Sequence, residues 1–151
     1  MEVMQLIDEI GSPQRAEKII LEKLADKVKI PGFGHRVYRC EDPRVSVLRD
    51  YARTVTAHTG RSIYFQITQE IERVVLEQTR VFPNVDLYTA SLYTAMELPR
   101  ELFTPIFAIS RIVGWTAHIL EQWGNNRLIR PRADYVGPAD RHYLPIEDRS
   151  R

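Results

Sequence analysis

Cysteine is nearly absent from this sequence of 151 residues, in which Cys40 is the only one. A single cysteine excludes an internal disulfide framework and a cysteine-rich zinc site. A strong net charge is also lacking, since 21 basic and 20 acidic residues leave a formal charge of +1. No overall field therefore attracts nucleic acid or an anionic membrane, and any binding of an anion depends on local clusters of arginine.

A secretory signal is not apparent at the N-terminus, because MEVMQLIDEIGS is acidic and its apolar run is short. Together with the lone cysteine, this start predicts a protein of the reducing cytoplasm. The most apolar stretch, residues 102–120, contains Pro105, Arg111 and His118. A central arginine costs about 2.5–3.5 kcal/mol on membrane insertion. The favoured interpretation is therefore a buried helix rather than a membrane span.

The sequence also lacks internal repeats and any long alternation of period two, and it reads instead as a series of helices. Ser12 precedes Pro13 and Asp42 precedes Pro43, and each pair is typical of a helix start, with an N-cap followed by proline in the first turn. Apolar residues then recur at helical spacing, at Ala16, Ile19, Ile20, Leu24 and Val28 after the first pair and at Val45, Leu48, Ala52 and Val55 after the second. With a third helix over residues 64–80 and a short one after FPNVD, an all-α fold is predicted.

The last third of the chain divides into a long helix and a tail. The helix is predicted over residues 101–123 and to be buried on several sides, because its apolar residues cover more than a narrow stripe: Phe103, Phe107, Ile109, Ile112, Val113 and Leu120. From residue 124 onward periodicity is lost, although the segment is too apolar for plain disorder. An extended tail that lies across a surface, either of this chain or of another subunit, is predicted.

The stretch KIPGFGHRVYRCEDPR, residues 29–44, concentrates glycine, histidine and arginine between two helical patterns. Gly32 and Gly34 permit left-handed backbone conformations or close approach of a ligand to the main chain. His35 is either an exposed loop histidine or a general acid and hydrogen-bond donor, because histidine titrates near neutral pH. Arg44, just inside a helix N-terminus, is either a solvated surface charge or a binding group for a carboxylate.

Three further polar residues have either a purely structural role or a role in binding or catalysis. Asp86 is either a helix N-cap or a general base, since Phe82 and Leu87 give it apolar neighbours. Arg111 interrupts an apolar helix and is expected to meet a carboxylate of the protein or of a ligand, because an unpaired buried cation is costly. Arg130 lies in the tail segment IRPR, where the simplest interpretation is surface charge.

Four segments together resemble the C-terminal part of citrate synthase: PGFGHRVYRCEDPR, PNVD, FAISRIVGWTAHILEQ and IRPRADYVGP, in the order and at the spacing of that family. The resemblance runs through nearly the whole chain. It implies a helical small domain over residues 1–98 and a portion of the large domain over residues 99–151. It also implies acetyl-CoA and oxaloacetate as substrates, with no metal and no covalently bound cofactor.

The resemblance further implies individual roles. His35 matches the histidine that hydrogen-bonds the oxaloacetate carbonyl and donates a proton, and Asp86 matches the base that removes a methyl proton from acetyl-CoA. Arg44 and Arg111 match arginines that hold the carboxylates of the substrate, and Arg130 matches one that reaches across a dimer. The coenzyme A loop corresponds to Ile30, Pro31, Gly32, Phe33 and Gly34, with Arg39 near the coenzyme phosphates.

The family's second active-site histidine, in a motif similar to GPLHGGANE, and its other oxaloacetate-binding histidine have no counterpart in these residues. We therefore expect the 151 residues alone to be crippled or inactive. Without the rest of the large domain the helix over residues 101–123 is expected to expose an apolar patch, and so to pair with a second copy or with a chain that supplies the large domain. Two variants, 2-methylcitrate synthase and citryl-CoA lyase, share the matching residues. The alternative from another class is a non-catalytic domain that binds coenzyme A or a partner subunit. Scattered arginines and the near-zero net charge disfavour a nucleic-acid binder.

Overall fold

The computed structural model describes residues 2–140 and 142–149, and every regular element within them is helical. The all-α prediction is therefore confirmed. Two 3₁₀ turns, Arg100–Leu102 and Ile146–Asp148, accompany the α-helices. The α-helices are α1 (Glu2–Ile10), α2 (Pro13–Ala25), α3 (Pro43–His58), α4 (Ser62–Thr79), α5 (Val85–Ala95) and α6 (Phe103–Gly124).

Both predicted proline starts are confirmed, but the two N-caps differ in their bonding. Asp42 caps α3, and its Oδ1 accepts a hydrogen bond of 3.0 Å from the Arg44 backbone N–H. Ser12 has the extended backbone of an N-cap before Pro13 but makes no side-chain capping bond. The start of α2 therefore depends on proline geometry and packing, whereas α3 gains a satisfied backbone donor.

The core forms where α1 to α5 meet, with α3 packed along α5 and α2 along α4. Its apolar side chains come from the faces that the helical spacing predicted. The expectation for Val28 was wrong: α2 ends at Ala25, and Val28 is exposed on the segment beyond it. The largest fully buried side chains are Tyr88, Met4, Ile7, Ile10, Ile20, Ile67, Ile71 and Leu87.

The burial of α6 on several sides, which its apolar spacing predicted, is not found among the described residues, whereas the apolar exposure expected without the rest of the large domain is found. Only Phe103, in its first turn, is buried, and its ring meets the Tyr93 ring edge-on with centroids 5.3 Å apart. Ile109 is exposed, and Val113 exposes 77% of its surface. By length and composition alone the helical segment Arg100–Gly124 could cross a membrane, which for one helix is weak evidence. Among the residues that the structure describes, the apolar side chains of α6 beyond its first turn are thus not buried.

The residues separate into two compact units, Met1–Ile112 and Val113–Arg151. In the second unit the described residues beyond α6 have no regular secondary structure apart from the 3₁₀ turn, and the prediction that they are not helical holds there. Its apolar side chains are exposed, Val136 by 95%. The division into domains at residues 98 and 99, and the docking of the tail on a surface, stay predictions.

Candidate functional site

The first unit contains an open cavity of ≈ 750 Å³ that collects most of the candidate residues. This volume lies within the range of small-molecule sites, which is about 300–1,000 Å³. The cavity is lined by these residues from the sequence predictions: Pro31, Gly32, Phe33, His35, Arg44, Asp86 and Arg111. Residues from four distant parts of the chain thus meet at one surface.

The glycine loop of the cavity lies directly against α5. Gly32 has φ +87°, and a Cβ added there would lie 3.1 Å from both Cβ and Cδ1 of Leu87. Gly34 also has a positive φ, of +79°. The predicted left-handed backbone of both glycines is therefore confirmed. Gly32 must in addition lack a side chain, because a Cβ there would crowd Leu87.

Backbone hydrogen bonds join this loop to the segment before α5. Gly34 N–H donates to the Phe82 carbonyl, and Asn84 N–H donates to the Gly32 carbonyl, each over 2.9 Å. Phe33 and Pro83 face each other between these bonds in an isolated antiparallel bridge. In this type of pair the N–H and C=O groups of Phe33 point away from Pro83, so they remain available to a ligand.

His35 lies at the exposed end of the loop, and its ring orientation is fixed by the backbone that follows. Nδ1 accepts hydrogen bonds from the N–H groups of Val37, over 3.0 Å, and Tyr38, over 3.1 Å. The His35 ring also stacks on the Tyr38 ring, with centroids 4.5 Å apart. Because an accepting Nδ1 of a neutral imidazole carries no proton, we assign the ring proton to Nε2. His35 lines the cavity, and its Nε2 is left as a hydrogen-bond donor for a ligand.

The N-cap of α5 is Asn84, so the interpretation of Asp86 as N-cap was wrong. The Asn84 side chain accepts from the Asp86 backbone N–H over 3.0 Å. Asp86 therefore lies inside the first turn of α5 rather than at its cap. Its exposed carboxylate makes no hydrogen bond within residues 2–140 and 142–149. It remains free to act on a ligand.

Arg44 also lines the cavity, and Asp42 holds its guanidinium. Arg44 Nε donates to Asp42 Oδ1 over 2.9 Å, and Nη2 donates to Oδ2 over 2.6 Å. The Asp42 side chain is 1% exposed and that of Arg44 is 48% exposed. Hydrogen bonds from Arg44 lower the pKa of the Asp42 carboxyl below its usual value. The sequence did not predict this pair, which leaves Nη1 of a fixed guanidinium for a ligand.

Arg111 is exposed rather than buried, which corrects the premise on which its partner was predicted. Its guanidinium lies over the Phe107 ring, 4.3 Å from the centroid, and both residues line the cavity. Lys29 adds a third cation to the lining, and Glu2 joins Asp86 as a second carboxylate. Because Asp42 already pairs with Arg44, Lys29 and Arg111 are the cavity cations without a carboxylate bonded to them within residues 2–140 and 142–149.

The other candidate residues lie outside the cavity lining. Ile30 is buried in the core, where it anchors the loop, and Gly34 is half-buried. Arg39 is exposed on the segment that follows His35. Arg130 is exposed on the irregular segment that follows α6.

A polar network that was not predicted from the sequence connects α5 to α3 and α4. Arg49 donates to Glu41 over 2.7 Å, to Glu72 over 2.5 Å and to the Tyr88 hydroxyl over 3.2 Å. The buried Tyr88 hydroxyl donates to the other Glu72 oxygen. Burial, followed by the bond to Glu72, raises the pKa of Tyr88 above its usual value. The network links α3, α4 and α5 close to Asp86, and a glutamate on an apolar helix face was its only signal in the sequence.

Metal ligands do not cluster in the part of the chain that the structure describes. Within it, no three side chains of histidine, cysteine, aspartate or glutamate are placed to hold one ion. The chemical resources of the cavity are therefore a histidine, two carboxylates, cations and main-chain groups.

The sequence of this chain was compared with family models and with known proteins, and the matches point to the same family. The model of the citrate synthase C-terminal domain matches residues 1–132. "Citrate synthase 2" of Bacillus subtilis is 49% identical over 148 residues, which are 98% of this chain and 40% of that protein. The 2-methylcitrate synthase of Shewanella oneidensis is 42% identical, over 97% of this chain and 39% of that protein. The chain thus spans about two fifths of the length of these relatives.

Solved structures agree with the sequence comparison. The citrate synthase of Thermoplasma acidophilum, in a ternary complex with carboxymethyl coenzyme A and oxaloacetate, matches with a TM-score of 0.80 at 33% identity. The match covers 97% of this chain and 41% of that one. The citryl-CoA lyase of Hydrogenobacter thermophilus matches with a TM-score of 0.69 at 31% identity, over 97% of this chain and 59% of that one. The all-helical fold, the cavity and these matches together show that the chain belongs to the citrate synthase family.

Proposed function

We propose that this chain carries one part of a citrate synthase site, which condenses acetyl-CoA with oxaloacetate to citrate and free coenzyme A. The observation that carries the proposal is the cavity itself, which is lined by a histidine with a free Nε2, an unbonded carboxylate and two arginines: His35, Asp86, Arg44 and Arg111. These are the groups that enolisation of a thioester and binding of a dicarboxylate require.

In the proposed reaction Asp86 removes a proton from the methyl group of the thioester, and the resulting enolate carbon attacks the carbonyl carbon of oxaloacetate. His35 donates the Nε2 proton to the carbonyl oxygen, which becomes the hydroxyl of citryl-CoA. Water then hydrolyses the thioester and releases coenzyme A. Arg44 and Arg111 hold substrate carboxylates, and the fixed guanidinium of Arg44 loses little side-chain entropy on binding.

The proposed coenzyme site is the glycine loop. The N–H and C=O groups of Phe33 point away from the bridge to Pro83. They offer one donor and one acceptor to the edge of a flat base such as adenine. Arg39, exposed on the segment that follows, is the proposed contact for the coenzyme phosphates.

The proposed assembly is a dimer or a complex with a chain that supplies the large domain. The exposed apolar surface of α6 supports it, because large uncovered apolar patches are rare on monomeric soluble proteins. Arg130 is proposed to enter the site of the partner. We propose a cytoplasmic location for the complex. The 151 residues alone are expected to turn over substrate slowly. Substrate groups that are poorly positioned and the lack, in these residues, of a counterpart to the family's second active-site histidine each lower the rate.

A chain that binds coenzyme A without turnover is the second candidate. It is favoured by one observation: His35 is the only histidine among the residues that line the cavity. The two variants of the family chemistry, 2-methylcitrate synthesis and citryl-CoA cleavage, use the same proposed residues and differ in the acyl group or in the direction of reaction.

Calorimetry with coenzyme A and a thiol-release assay with acetyl-CoA and oxaloacetate test the proposal on the purified chain. We expect binding of coenzyme A and slow release of thiol, which Asp86→Asn lowers by about 10²–10⁴-fold without loss of coenzyme binding. The exposed thiol of Cys40 sets a stoichiometric background, which a reaction without substrate measures. Binding with no turnover indicates the second candidate. A folded chain that does not bind coenzyme A contradicts both.

A further inference from the structure

We infer that Asn84 is a positioning residue, which holds the loop of His35 and the helix start of Asp86 at a fixed distance. The inference rests on the proposed function, since those two residues are its acid and its base. Asn84 lines the same cavity but lies between them in space, joined to both segments by its own hydrogen bonds.

The Asn84 side chain uses its two ends for two different segments. Its Oδ1 accepts from the Asp86 backbone N–H over 3.0 Å, and its Nδ2 donates to the Gly34 carbonyl over 3.0 Å. Only one orientation of the amide satisfies both contacts, because an acceptor must face the N–H and a donor must face the C=O. The backbone N–H of Asn84 adds the bond to Gly32. The Leu87 N–H also donates to the Asn84 carbonyl over 3.3 Å, so one residue makes two hydrogen bonds to the loop and two to the first turn of α5.

These contacts separate two roles of Asn84. Serine and aspartate cap a helix about as well as asparagine, so the cap alone does not require an amide. Neither of them can donate a hydrogen bond to Gly34 from the Nδ2 position: the serine side chain is shorter, and an ionised aspartate has no donor. The amide is therefore needed for the link to the loop, on which His35 follows Gly34 directly.

The serine variant tests this link, because it keeps the cap. We expect Asn84→Ser to fold and to melt near the temperature of the wild-type chain, whereas Asn84→Ala melts lower because it also loses the cap. The Gly34 N–H donates to the Phe82 carbonyl, and in Asn84→Ser it should exchange with solvent about two- to tenfold faster, because the loop opens more often once the Gly34 carbonyl loses its bond to Asn84. Affinity for coenzyme A should fall by a similar factor. Asn125→Ser, the same change at an exposed position, is the matched control.

Amide exchange and coenzyme binding test different parts of the inference. If Gly34 exchanges at the wild-type rate in Asn84→Ser, the link does not hold the loop, and the inference is overturned. If exchange accelerates while coenzyme affinity is unchanged, Asn84 supports structure only, which also overturns a positioning role. If the wild-type chain binds no coenzyme A, the proposed function fails, and the exchange rate alone then decides whether Asn84 fixes the loop to α5.

Discussion

Replacing Gly32 with alanine tests whether the glycine loop is held directly against α5. Gly32 has φ +87°, in a region that L-residues with a side chain rarely adopt. The new methyl carbon would lie 3.1 Å from Cβ and Cδ1 of Leu87 and 3.2 Å from its Cα. Leu87 is fully buried, and its Cα and Cβ belong to the helix, so it has little room to yield.

Two contributions set the size of the effect. The left-handed backbone costs an L-residue about 1–2 kcal/mol, and overpacking a tight core costs about 1–3 kcal/mol. Their sum is about 2–5 kcal/mol, a large part of the stability of a domain, which is typically about 5–15 kcal/mol. Gly60→Ala is the matched control: Gly60 has φ +71°, but nothing lies within 4 Å of a Cβ added there. Its expected cost is only the backbone contribution of about 1–2 kcal/mol.

Urea unfolding followed by circular dichroism compares the two alanine variants. We expect Gly32→Ala to lower the free energy of unfolding by about 1–3 kcal/mol more than Gly60→Ala, with an unchanged dependence on urea. The excess measures the contact with Leu87. Equal losses in the two variants would refute the reasoning, since the loop would then move away from α5 at no cost.

Two further predictions concern the polar groups around the site. The pKa of Asp42 is lowered in the folded state, so its stabilising effect is present above its unfolded pKa of about 3.9 and is lost as pH falls through the folded value. Asp42→Asn, which keeps the cap, should therefore flatten the dependence of the melting temperature on pH below about pH 4; an unchanged acid limb would contradict the pairing with Arg44. Tyr88→Phe removes the hydroxyl that donates to Glu72 and accepts from Arg49, and it should lower the free energy of unfolding by about 1–3 kcal/mol in urea titrations. No measurable loss would mean that water replaces the hydroxyl.

Local chemistry made much of the fold predictable from sequence. The pairs Ser12–Pro13 and Asp42–Pro43 mark helix starts because capping and proline geometry involve only neighbouring residues. Apolar spacing likewise identified the buried faces of α2, α3 and α4, since each helix must bury one stripe. The end of α2 was predicted a few residues too late, so Val28 was assigned to the buried face of the helix although it lies beyond Ala25.

The role of Asp86 shows where local reasoning fails. Both Asn84 and Asp86 are good N-cap residues, and the sequence does not state which one begins the helix. The choice is made by the bonds from Asn84 to Gly32 and Gly34, about fifty residues earlier in the chain. The prediction that Arg111 is buried was wrong for another reason. Apolar neighbours in the sequence lead to burial only where another surface covers the helix.

The sequence by itself determined the all-α class, the starts of α2 and α3, the buried faces of α2 to α4 and the membership of the family, because these depend on short-range geometry and on motifs in order. Only the tertiary structure decided which groups face each other: His35 with a fixed ring, Arg44 held by Asp42, and Asp86 freed from capping by Asn84. Such contacts join segments far apart in the chain. They depend on directional hydrogen bonds that no local pattern encodes.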